Sequence, residues 1–410
     1  MKQTWRWFGP KDLVTVDDMR QAGVEGVVTA LHHRPPGAVW TLDDIRQRQA
    51  EIATMADGSP STLRWDVVES LPVSEAIKQQ QGDWRAHLDA YRQSLEALAQ
   101  AGIAVVCYNF MPILDWTRTD LAQRQPTGAT AMAFDAVDFA AYDIFILARD
   151  GAEASFEPEI AEAARQRFTD MDDARRQALA ETVTFGLPGA AQSFSLQDVR
   201  DLLALYGGIS ADQLRAHFVD FLEAVVPTAE RLGLRLCCHP DDPPFPLLGL
   251  PRVVSTEADY RVLLDRVDSP ANGVTLCSGS LGVRDDNDLP GMMERLGDRV
   301  HFLHLRNVST KGADQEQGLY RSFFEDEHLC GNTDMVALLA AVHREETRRR
   351  AAGRADWSIP LRPDHGQDIL EDQGRKTQPG YPLIGRLKGL AELRGIWTAL
   401  NHPDQGVGSG

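Results

Sequence analysis

Four side chains able to ligate a metal stand at the ends of four short apolar runs. His239 closes Arg235–His239, Cys277 follows Gly273–Leu276, His304 sits within Phe302–Leu305, and Asp364 follows Ile359–Leu361. Two imidazoles, a thiolate and a carboxylate suit a divalent first-row transition metal with positions left open for water or substrate. Taken singly, each residue has an ordinary use. A histidine at a strand end is more often structural, a lone cysteine is a small buried hydrophobe, and an aspartate caps helices. It is their recurrence at four consecutive strand ends that points to a metal. Structural zinc sites draw their ligands from short loops and are closed. Ligands spread over four strands favour an open, catalytic site.

Around these four lie residues suited to a polyhydroxy acid. Arg306 falls two residues beyond His304 and Arg362 two before Asp364, on the same strand face as each ligand. Either can pair with a barrel carboxylate; a guanidinium fork for a substrate carboxylate is expected of Arg306, and support of the ligands of Arg362. Asn109 ends the fourth apolar run, Glu69 the third, and His32 and His33 follow the second. All are placed to meet sugar hydroxyls, although polar loop residues are as common without function. His365 adjoins a ligand without being one, a fitting seat for a general acid or base. The turn Lys376–Tyr381 can aim Tyr381 back over the same place.

The elements that must hold these residues are readable from apolar patterning. Strands are expected at Thr4–Phe8, Glu25–Ala30, Arg64–Val68, Ala104–Asn109, Arg235–His239, Gly273–Leu276, Phe302–Leu305 and Ile359–Leu361. Most are followed by helical patterns, such as Asp83–Gln100 and the capped starts at Thr41 and Ser210. Eight such units define an α/β class protein, a (β/α)8 TIM barrel whose catalytic rim is the C-terminal end of the strands. Cys237 shares the parity of His239 and faces the interior; Cys238 faces the helix layer. Residues 1–400 are expected to form a single catalytic domain. A helix-rich, acidic insertion over residues 113–232 separates strands four and five and is expected to cover the site or make a subunit contact. A second excursion runs from Ser309 to Glu327, and residues 401–410 are expected to be a flexible tail.

Composition narrows the partners. With 410 residues, 43% hydrophobic and 25% charged, the chain can bury a large core. A net charge of −18 argues against nucleic acid and against an anionic membrane surface. Five scattered cysteines without a CxxC pair give no disulfide framework. The opening Met1–Arg6 enters a strand without an apolar leader, and no run is long enough to span a bilayer, so a cytoplasmic setting is expected. No dinucleotide fingerprint, nucleophile elbow or P-loop occurs.

Several strings resemble the mannonate dehydratase family, metal-dependent lyases of hexuronate (glucuronate) breakdown. They are Thr4–Trp7, Val27–His33, Cys107–Pro112 continuing into Leu114–Asp120, His239–Pro244, Arg362–Gly366 and Gly385–Ala391. The resemblance spans nearly the whole chain. It implies a xylose-isomerase-like barrel, a Mn2+ or Fe2+ centre on His239, Cys277, His304 and Asp364, and acid/base work by His365 and Tyr381. It also implies conversion of the sugar acid D-mannonate to 2-dehydro-3-deoxy-D-gluconate and water. A homo-oligomer, dimer or higher, is expected. A sugar or sugar-acid isomerase or epimerase on the same barrel, and a non-catalytic sugar-acid sensor, are the competing expectations.

Overall fold

The computed structural model describes residues 1–185, 194–310 and 320–402. In chain order the strands are β1 (Lys2–Arg6), β2 (Gly26–Thr29), β3 (Trp65–Glu69), β4 (Val105–Tyr108), β5 (Asp120–Arg124) and β6 (Thr130–Phe134). They continue as β7 (Arg235–Cys238), β8 (Asn272–Cys277), β9 (Val300–His304), β10 (Asn307–Thr310), β11 (Phe323–Asp326) and β12 (Pro360–Arg362). Eight of them close a parallel barrel in the order β1-β12-β9-β8-β7-β4-β3-β2. These are the eight runs that patterning selects, within a few residues at each end. Valine-rich runs such as Gly26–Thr29 and Trp65–Glu69 are buried on both faces, as barrel strands wrapped by helices must be.

Strand parity sorts side chains between two packing layers. Val28, Val67, Cys107, Cys237 and Phe302 fill the barrel interior. Cys238 joins the much larger core between strands and helices, with Trp5, Val27, Leu98, Phe218 and Leu338. The helices begin where capping predicts. Thr41 Oγ1 accepts from Asp44 N at 3.2 Å to open Leu42–Ile52, and Ser210 with Gln213 forms a capping box for Ala211–Arg231. Trp84–Gln100 starts after Asp83 without a side-chain cap.

The region between β4 and β7 is not helical throughout. Besides the helices Pro158–Asp170, Asp173–Val183 and Leu196–Leu205, it carries the strands β5 and β6. These join β10 and β11 in a second, antiparallel sheet of order β10-β11-β6-β5. The sheet packs its own core, including Phe134, Phe139, Phe245, Val308 and Phe323. It rises at the C-terminal rim of the barrel, because β10 begins three residues after β9 ends. Residues 311–319 of the excursion after Ser309, and 403–410 of the tail, lie outside the described residues.

Candidate metal centre and active site

Barrel register brings the ligand candidates together. Cys277 on β8 pairs with His304 on β9, and His304 pairs with Arg362 on β12. His239 follows β7 directly, and its ring lies 4.9 Å from that of His304, centroid to centroid. One donor atom from each of His239, Cys277 and His304 falls within 4.8 Å of the others. Asp364 lies beside this group of three without being part of it: its Oδ2 is 3.8 Å from Cys277 Sγ. Its backbone adopts φ +66°, a left-handed conformation that aspartate tolerates better than most residues. The Asp364 carboxylate is also held by Arg362 and lies 3.3 Å from Arg306 Nη1.

The donors suit a cation. His239 Nδ1 is 2.7 Å from the Pro240 carbonyl, which can only accept. That nitrogen therefore carries a proton in either charge state, and Nε2 is the nitrogen that can give up its proton to a cation. His304 is fully buried, and its Nε2 makes no hydrogen bond. Burial works against a Cys277 thiolate, but the Arg306 guanidinium and His239 outweigh it and bring the thiol down to about 5. Burial also opposes charge on His239; the Cys277 thiolate overcomes it and lifts the imidazole to about 10. A thiolate beside a proton-hungry imidazole is a site in which a cation can take the proton's place.

A connected network of buried ions supports this group. Arg362 donates from Nε and Nη2 to the two oxygens of Glu69, at 2.9 and 2.6 Å. Glu69 in turn lies 3.1 Å from Arg6 Nη1 and 3.4 Å from His304 Nε2. Burial opposes its charge, but Arg362 and Arg6 hold its carboxyl well below the usual range. On the other side, Arg306 Nη2 donates to Asp242 at 2.6 Å and to Ser280 Oγ at 3.3 Å. Arg118 grips both oxygens of Asp242, at 2.8 and 3.2 Å, and reaches Glu325 at 2.8 Å. Four guanidiniums, four carboxylates, the Cys277 thiolate and the His239 imidazolium leave the network neutral. A divalent cation in place of the imidazolium proton would make it positive and favour an anionic substrate. A Cβ on Gly279 would stand 2.0 Å from Arg306 Nε, so this position has no room for a side chain.

His365 sits inside this network. Its Nδ1 is 2.8 Å from Glu325 Oε2 and 3.0 Å from Arg306 Nη1, and its Nε2 is 3.1 Å from the Tyr381 hydroxyl. The turn before Tyr381 is pinned there by Gly366 N donating to Gly380 O at 3.0 Å. Gly380 takes φ +79°, and a Cβ there would meet Met132 and His365. Burial pushes the Tyr381 phenol up to about 12, against the pull of Arg362.

Of the remaining candidates, Asn109 lies in the wall of a cleft of about 610 Å³ with Arg6, His32, His33, Met111 and Asp115. It donates to Asp115 Oδ2 at 2.7 Å; burial lifts the Asp115 carboxyl to about 6. His33 is exposed at the cleft rim, with Nε2 3.9 Å from Asp44. Glu69, Arg306 and Arg362 are turned to protein partners, not to open space. Patterning singled out neither Arg118, Asp242, Glu325 nor Arg6. Arg118, Asp242 and Arg6 lie inside strings that carry the family resemblance; Glu325 has no signal of its own, being an acid among acids in Glu325–Glu327.

Fold and site together define an α/β-barrel enzyme with a group of side chains able to hold a metal ion at the C-terminal rim. A model of the family described as D-mannonate dehydratase (UxuA) matches residues 1–406. The chain is 54% identical over 407 residues to a mannonate dehydratase of Rhizobium meliloti (strain 1021), covering 99% of both chains. It is 55% identical over 410 residues to mannonate dehydratase 1 of Agrobacterium fabrum, covering 100% of both. A crystal structure of mannonate dehydratase from Streptococcus suis serotype 2 superposes with a TM-score of 0.73 at 31% identity, covering 100% of this chain and 97% of that one. The chain belongs to the D-mannonate dehydratase family.

Proposed function

We propose that this chain removes water from D-mannonate to give 2-dehydro-3-deoxy-D-gluconate, using a divalent cation held by His239, Cys277, His304 and Asp364. The observation that carries this reading is the adjacency of two sets of groups: a thiolate–bis-imidazole cluster, and a hydrogen-bonded His365–Tyr381 pair one residue from Asp364. The donor set suits Mn2+ or Fe2+. When bound, such a cation supplies Lewis-acid stabilisation of the negative charge that develops at the acid end of the substrate.

The chain's own residues do the rest. The C2 proton of an aldonate is weakly acidic, so a base must lie close to it; His365 and Tyr381 are the groups assigned. The proton taken from C2 and the hydroxyl lost from C3 together make one water, and the enol left behind tautomerises to the 2-keto acid. Asn109 and His33 are assigned to the hydroxyls of the sugar chain from the cleft wall. Arg306, Arg362 and Glu69 have their charged atoms on protein partners. They act on the substrate by fixing the ligands and His365 in place and through the positive field of the guanidiniums. A homo-oligomer in the cytoplasm completes the proposal; the buried, unpaired cysteines Cys107, Cys237, Cys238 and Cys277 fit a reducing setting.

The test supplies metal-stripped protein with Mn2+ or Fe2+ and D-mannonate, and follows formation of the 2-keto-3-deoxy acid. Metal-dependent product is expected. Recovery of an epimeric or isomeric sugar acid without water loss would replace the dehydratase with an isomerase on the same site. Binding with no conversion would favour a sensor.

A further inference from the structure

The second sheet delivers one side chain into the site. Glu325, on β11, is 4% exposed although it carries an acid, and its two oxygens divide the work. Oε1 accepts from Arg118 Nη2 at 2.8 Å and lies 3.4 Å from Arg306 Nη1. Oε2 lies 2.8 Å from His365 Nδ1. We propose that Glu325 is a positioning residue: it sets the orientation and the tautomer of His365, so that the ring meets Tyr381 with an acceptor nitrogen.

The geometry leaves little choice of proton arrangement. A carboxylate can only accept, so His365 Nδ1 is the protonated nitrogen. In the neutral ring Nε2 then carries the lone pair, and the Tyr381 hydroxyl 3.1 Å away donates to it. Glu325 stays ionised in this place. Burial works against its charge, but His365, Arg306 and Arg118 outweigh burial and hold the carboxyl down to about 2. Without this acceptor, Nδ1 would face Arg306 Nη1 at 3.0 Å, a group that only donates. The ring would then place its lone pair on Nδ1 and present a donor to Tyr381, the wrong polarity for accepting a proton on that side. Glu325 therefore acts through His365 and touches neither the metal ligands nor the cleft.

This inference rests on the assignment of His365 and Tyr381 to proton transfer, and its test separates the two. Glu325→Gln keeps the shape and one acceptor oxygen for the arginines. It is expected to lower kcat about a hundredfold, with KM and bound metal within twofold of the wild type. Glu325→Asp keeps the charge but withdraws it from Nδ1, and is expected to do the same should Glu325→Gln not fold. Introduced into a His365→Asn background, Glu325→Gln is expected to cause no further loss, because the residue it acts through is gone. A multiplicative loss in the double variant, a loss seated in KM or in metal content, or an unchanged kcat would each overturn the proposal. A readout free of substrate is a neutron crystal structure of the Glu325→Gln holoenzyme, in which the His365 ring proton is expected on Nε2 instead of Nδ1. A proton that stays on Nδ1 overturns the positioning role whatever the substrate. A wild-type enzyme that forms no keto-deoxy acid would instead refute the dehydratase assignment.

Discussion

At the scale of single residues, two histidines of this site show how the partner of one ring nitrogen assigns the work of the other. The Pro240 carbonyl fixes His239 Nδ1–H and leaves Nε2 to a cation; Glu325 fixes His365 Nδ1–H and leaves Nε2 to Tyr381. Substitutions should separate the two roles. Asp364→Asn is expected to cut metal affinity and activity together, by roughly 10- to 100-fold; full metal content with full activity would remove Asp364 from the ligands. His365→Asn is expected to retain its metal and lose turnover, read by metal stoichiometry beside kcat. The buried carboxyls also set an acid limit. Glu69, Asp242, Glu325 and Asp364 are all held below their ordinary values, Glu325 from 4.5 to about 2. A carboxyl depressed by folding contributes its stability in full above its unfolded pKa and loses it as pH falls through the folded one. Urea midpoints are therefore expected to hold above about pH 5 and to fall steadily below it; midpoints unchanged down to pH 3 would contradict the depressed values. The ligand candidates were legible in the sequence because each ends a recognisable strand. Glu325 and Arg118 were not read from strand position, since neither ends a barrel strand and their ion-pair partners lie 19 to 207 residues away.

At the scale of elements, the barrel strands could be read because they combine β-branched runs with helical patterns after them, and parity even placed Cys237 and Cys238 on opposite faces. The second sheet could not. Asp120-Leu-Ala-Gln-Arg124 and Thr130-Ala-Met-Ala-Phe134 are poor in β-branched residues; the second pairs with Phe323–Asp326, far along the chain, and the first is the edge strand against it. That sheet is tied to the barrel through Arg118, whose guanidinium is wholly buried between Asp242 and Glu325. Arg118→Met would leave two buried carboxylates sharing Arg306 as their remaining guanidinium, and is expected to cost about 3–5 kcal/mol in unfolding free energy, well above a surface change. A loss under 1 kcal/mol would mean that the two acids find other partners. Gly279 makes a second link, since Arg306 packs where its side chain would be. Gly279→Ala is expected to push Arg306 off Asp242 and to lower kcat more than it lowers the melting temperature. Equal activity would show that Arg306 can shift without consequence.

At the scale of the whole molecule, the largest apolar core surrounds the barrel strands, a second lies under the accessory sheet, and Cys277 belongs to neither. The ligand candidates stand at strand ends fixed by the barrel register, His304 against Phe302 of the barrel interior, so the fold is expected to form without a cation. Nor does removing the cation strand bare charges. Cys277 and His239 then hold each other as thiolate and imidazolium, while the guanidiniums keep their carboxylates. Binding still adds stability by mass action, about 2.7 kcal/mol at a hundred times Kd. Spread over a chain of 410 residues, that amounts to a melting shift of roughly a few degrees. Treatment with a chelator is therefore expected to abolish turnover while leaving the far-ultraviolet dichroism at 25 °C unchanged, and Mn2+ or Fe2+ should restore the rate. Collapse of the helical signal on chelation would mean that the cluster is a structural metal site, as in small zinc domains, and that the catalytic centre must be sought in the cleft beside it.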